Sequence, residues 1–175
     1  MIAARLARLR VPLGFVFGAL VLVLARPTRP TLISGAAIAC LGEALRIWAA
    51  GHLNKAREVT SSGPYRWFAH PLYVGSSVMG VGLAVATGRV AAAVLIGAYL
   101  GATLTAAVRS EEAFLRRAFG DRYDRYRRGG ASGGSADGNG ARRFSLAQAI
   151  ANREHRAVAG LLAAMLLLLL KATYN

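Results

Sequence analysis

The chain has 175 residues, 55% of them apolar, yet its formal net charge is +14. A soluble domain seldom combines the two, and the arginines fall between apolar blocks instead of along one face, which excludes a nucleic-acid reader. Cys40 is the only cysteine, so neither a disulfide framework nor a cysteine metal site is available; inside a span it reads as a small packing residue.

The remaining pattern is that of an all-α polytopic membrane helix bundle of about five transmembrane helices. After the basic RLARLR, residues 11–25 form span 1; the RPTRP that follows argues against a cleaved leader and makes a tight turn, with Pro30 in the first turn of span 2. Span 2 covers about 31–50 and carries Glu43 and Arg46. A polar connector, 51–70, leads to span 3 at about 71–88, TGR at 87–89 makes a short turn, and span 4 covers about 90–108. Residues 109–128 are charged but helical in pattern, with Gly120 as a stop. GGASGGSADGNG, 129–140, is a flexible linker, and 157–174 is an extra C-terminal span whose one charge, Lys171, snorkels to the interface. The whole is expected to form a single domain. GFVFG in span 1 and GAYLG in span 4 have the small-xxx-small spacing, but glycine is common in membrane helices and the patterns support only a compact bundle.

Seventeen of the 22 Lys and Arg residues lie in the N-terminal stretch, the 51–70 connector and the 109–156 segment. This asymmetry places those three segments in the cytoplasm and the C-terminus outside, and so puts any chemistry on one face.

Three places carry chemistry. Glu43 and Arg46, three apart on one helix face, form either a neutralised pair or the polar wall of a cavity. His70, just ahead of Pro71, stands at the N-terminus of span 3, where unsatisfied N–H groups favour an anion. Glu111 and Glu112 follow span 4 and point about 100° apart. Glu112 has Arg109 and Arg116 as local partners, whereas Glu111 has none three or four residues on and is the better candidate for a cationic ligand. On its own the 109–128 segment also reads as an amphipathic interfacial helix, with Tyr123 and Tyr126 on its second part.

SSGPYRWFAHPLYVG followed by RSEE, FG and two tyrosines, with GEALR upstream, resembles the isoprenylcysteine carboxyl methyltransferase family of integral membrane enzymes over roughly residues 41–127. Ala69 stands where that family usually has arginine, and Arg66 lies three residues earlier. The resemblance implies a membrane methyltransferase using S-adenosyl-L-methionine at the cytoplasmic side, on a lipid or lipid-modified acceptor, and the Arg- and Ala-rich composition points to a bacterial inner membrane. It implies a cofactor pocket of Arg57, Glu58, Val59, Thr60, Tyr65, His70, Pro71, Leu72, Tyr73 and Glu111. Methyl transfer needs alignment more than covalent help. A carboxylate acceptor would be oriented by Arg46 or Arg109; an amine or thiol would need a base, and Glu112 is the candidate. Two other classes stay open: a nicotinamide-dependent membrane reductase, and a non-catalytic membrane protein that keeps the fold.

Overall fold

The computed structural model describes residues 14–53, 60, 62–120 and 143–174, and every regular element among them is a helix. In chain order these are α1 (Gly14–Leu24), α2 (Arg29–His52), a 3-10 turn (Gly63–Arg66), α3 (Pro71–Ala86), α4 (Val90–Phe119), α5 (Leu146–Ala151) and α6 (Glu154–Tyr174). The helices α2, α4 and α6 are long and apolar enough to cross a bilayer, while α1 and α3 are shorter apolar helices. The protein is an integral membrane protein.

The elements start and stop where local chemistry dictates. Thr28 caps α2 through a reciprocal box with Thr31, and Pro30 occupies the first turn. Pro71 opens α3 after His70. Span 4 and the charged segment after it are one continuous helix, ended at Gly120 with φ 46°. At 30 residues α4 is roughly 45 Å long by the helical rise. A bilayer core is about 30 Å thick, so α4 is long enough to cross it and still carry Glu111 and Glu112 beyond it.

The tightest seam is between α2 and α3. A methyl group on Gly42 would lie 2.4 Å from the Met79 amide nitrogen, and one on Gly82 would lie 2.3 Å from that of Ala39. Gly35 and Gly42 on α2, and Gly75 and Gly82 on α3, recur every seven residues, so both backbones approach along two turns. The glycine pairs in spans 1 and 4 do not make this seam: Gly18, Gly97 and Gly101 face open space, and only Gly14 is near a neighbour, the Tyr99 hydroxyl. Phe17 stacks on Tyr99 at 4.8 Å and joins α1 to α4. Cys40 is exposed on the outside of the bundle and is not a packing residue.

The two ends of the bundle are assembled differently. At one end the Arg26 amide donates to the Thr87 carbonyl at 2.7 Å. There Lys171 Nζ donates to the carbonyls of Leu22 and Val23, at 2.6 and 2.7 Å. Lys171 therefore closes the exposed C-terminus of α1. At the other end α5 sits over the C-terminus of α2. Asn152 Nδ2 donates to the carbonyls of Ala50 and Leu53, Gln148 Nε2 to Leu53, and the Ser145 amide to Gly51. The Gly/Ser linker expected at 129–140 lies outside the described residues.

Candidate functional site

His70, Glu111 and Glu112 meet at the end of the bundle where α3 begins and α4 ends. Glu111 Oε2 lies 3.6 Å from His70 Nδ1, and Glu112 Oε1 lies 3.5 Å from His70 Nε2. The two glutamates diverge on their helix, as expected, but the imidazole carries a nitrogen on each edge and both acids reach it. Glu111 and Glu112 thus share a contact beyond their own helix, and the acids beside the His70 ring are these two side chains. Hydrogen bonding to Glu111 and the charges of both acids raise its pKa above the ordinary histidine value, against the opposing effect of burial.

Tyr73, in the first turn of α3, stands 5.7 Å from the His70 ring. Pro71 is fully buried, Tyr65 and Thr60 are buried, and Leu72 is half-buried. The 3-10 turn carrying Tyr65 closes on His52: Gly63 has φ 58°, and a methyl there would lie 2.7 Å from the imidazole. Trp67 is 67% exposed and 5.7 Å from Trp48, at the same end. Ala69 and Arg66 are exposed, as is Arg109. Arg57, Glu58, Val59, Tyr123 and Tyr126 lie outside the described residues.

Arg46 belongs to a second cluster, one that includes an acid the sequence did not point to. Its Nη2 donates to both oxygens of Glu154, at 3.1 and 3.0 Å, its Nη1 donates to Ser76 Oγ, and its Nε lies 3.5 Å from Glu43 Oε2. Glu43, Ser76 and Glu154 are buried. With two carboxylates on one guanidinium, Arg46 is poorly placed to orient an acceptor's carboxylate, which would meet excess negative charge. The expected Glu43–Arg46 pair is present, but its main partner comes from α6, 108 residues away.

Between α3 and α4 runs an open apolar groove of about 810 Å³, bounded by Gly80, Val81, Leu100 and Leu104, with Gly88 and Arg89 at one end and Ser77 and Thr105 at the other. Ser77 Oγ donates to the Tyr73 carbonyl at 3.0 Å, so the groove ends one turn from the His70 cluster.

The model of the phospholipid methyltransferase family matches residues 15–122. The chain belongs to that family. It is 30% identical over 106 residues to a protein-S-isoprenylcysteine O-methyltransferase of Schizosaccharomyces pombe, covering 54% of this chain and 45% of that protein. It is 34% identical over 85 residues to the nickel-cobalt-cadmium resistance protein NccN of Alcaligenes xylosoxydans xylosoxydans, covering 47% and 39%. The chain thus spans less than half the length of these curated relatives. No solved structure matches it. The family match ends before α5 and α6, so Glu154 lies beyond it.

Proposed function

We propose that the protein is an S-adenosylmethionine-dependent methyltransferase acting on a lipid-borne acceptor at the surface of a bacterial inner membrane, with its site toward the cytoplasm. The observation that carries this reading is the bracketing of His70 by Glu111 and Glu112 in a chain of this family. Two carboxylates against a single imidazole leave an excess of negative charge whether or not the ring is protonated, which suits the cofactor's ammonium. Tyr65 and Tyr73 supply the surfaces for its flat or cationic parts. When bound, the cofactor supplies a methyl group activated on a sulfonium.

The chain's own task is then to align the acceptor. The groove between α3 and α4 is apolar along its length and ends beside Tyr73, so it can guide a hydrocarbon tail while the head reaches the site. Because Arg46 is already held by Glu43 and Glu154, Arg109 is the better candidate to meet an anionic head, and Glu112 the group to take a proton from an amine or thiol. A nicotinamide cofactor fits less well, since its phosphates would face the carboxylates of Glu111 and Glu112. The test is incubation of the purified protein with methyl-deuterated S-adenosylmethionine and either extracted bacterial lipids or N-acetyl-S-farnesylcysteine. Mass spectrometry should find a deuteromethyl group on one of them; no labelled product from either would refute the reading.

A further inference from the structure

Three observations converge on Glu154. First, it is buried at 7% exposure and is the first residue of α6, where its carboxylate is favoured by the helix N-terminus. Second, the turn that delivers it is strained: Arg153 has φ 66°, and it is the only non-glycine residue with positive φ among the described residues. Such strain persists where the surroundings fix the chain, and here the preceding Asn152 is tied to the end of α2 by two hydrogen bonds. Third, the carboxylate begins a continuous chain of contacts. Glu154 holds Arg46 Nη2, Arg46 Nη1 donates to Ser76 Oγ, and Ser76 Oγ donates to the Leu72 carbonyl at 2.9 Å. Gly75 leaves the room this needs, since a methyl there would lie 2.7 Å from Arg46 Cγ. Leu72 is in the first turn of α3, whose Tyr73 and Val74 amides donate to the His70 carbonyl at 3.0 and 3.2 Å.

We infer that Glu154, on a helix beyond the family-matched segment, is a positioning residue: through Arg46 and Ser76 it fixes the first turn of α3 and thereby His70 against Glu111 and Glu112. The cofactor part of this inference rests on the function proposed above; the positional part does not. The C-terminal helix is then a component of the site and not an added anchor.

The test uses the full-length protein in detergent with Glu154→Gln, Glu154→Asp and Ser76→Ala. Two quantities are read: hydrogen exchange at the Tyr73 and Val74 amides, and S-adenosylmethionine affinity by calorimetry. Glu154→Gln and Ser76→Ala should each speed exchange at those amides about tenfold and weaken cofactor binding about fivefold or more, and Glu154→Asp should restore both to within about twofold. Ser76→Ala cuts the relay without touching the α2–α6 ion pair, so it decides the matter if Glu154→Gln does not fold. A fall in melting temperature with exchange and affinity unchanged would reduce Glu154 to a structural staple and overturn the inference. If the wild-type protein bound no S-adenosylmethionine, the proposed function would fall, and the exchange measurement would still decide the relay.

Discussion

At the end of the bundle that gathers residues 25–29, 87–89 and 171–174, the chain is closed mainly through its backbone: an amide on a carbonyl, a glycine at positive φ, and a lysine over the last carbonyls of α1. At the opposite end, charged and aromatic side chains are held across helices from distant parts of the sequence: His70 by α4, Arg46 by α6, and the carbonyls of α2 by Gln148 and Asn152. Both ends satisfy exposed helix termini. Among the described residues, only the second also brings several ionisable side chains within ion-pair distance of one another. The difference teaches that the first end fixes the bundle while the second end uses it.

The largest expected effect comes from the buried ion cluster. Arg46→Ala leaves Glu43 and Glu154 without their shared cation and should cost about 3–5 kcal/mol, read as a lowered melting temperature in detergent. Substitution at the other end should be severe for stability alone. Gly88 has φ 63°, and a methyl would lie 2.4 Å from the Arg26 carbonyl oxygen. Gly88→Ala should therefore cost about 2–3 kcal/mol through overpacking and backbone strain together. Lys171→Met removes charge-assisted bonds to Leu22 and Val23 and should cost about 2 kcal/mol. In both of the last two variants, S-adenosylmethionine affinity of the folded fraction should stay within about twofold. A large loss of affinity would erase the division between the ends.

The smallest effect is a pH dependence, and it sharpens the division from the other side. Because the folded pKa of His70 is raised, its contribution is fully present below the ordinary histidine value of 6.5 and is lost as pH rises through the higher folded value. Melting temperature should accordingly fall across that window, by the equivalent of about 1 kcal/mol for a partly exposed pair. Glu111→Gln should flatten the fall and Lys171→Met should not. An unchanged profile in Glu111→Gln would show that the histidine does not titrate against that acid.

What the sequence makes legible is mostly local. Capping at Thr28, the prolines opening α2 and α3, the stop at Gly120 and the sorting of the connectors to two ends all follow from residues close together in the chain. The segments that meet at the site could also be named in advance, because His70, Glu111 and Glu112 have no ordinary reason to stand at the mouths of apolar helices. Their mutual geometry could not: an angle of about 100° along one helix does not reveal that a ring from another helix lies between. Glycine spacing alone does not tell a seam from an open face. Gly97 and Gly101 match a contact spacing but face open space, whereas the seam uses Gly35, Gly42, Gly75 and Gly82 at a spacing of seven. Glu154 was one charge among many in a basic segment, and its partner lies 108 residues away. Helix α5 did carry a signal, the Ser145–Leu–Ala–Gln148 spacing of a capping box, and the Gln148 amide does donate to Ser145 Oγ at 3.3 Å.

The central claim is that one end of the bundle holds a methyl donor, and titration calorimetry on detergent-purified protein tests it most directly. S-adenosylmethionine and NADPH would be titrated into the wild type, Glu111→Gln and Lys171→Met. The account predicts saturable binding of S-adenosylmethionine and none of NADPH, weakened tenfold or more by Glu111→Gln, on the scale of the roughly 1.5–3 kcal/mol of a lost charge-assisted bond, and unchanged by Lys171→Met. Binding of NADPH in its place, or equal loss of S-adenosylmethionine affinity in both variants, would contradict it.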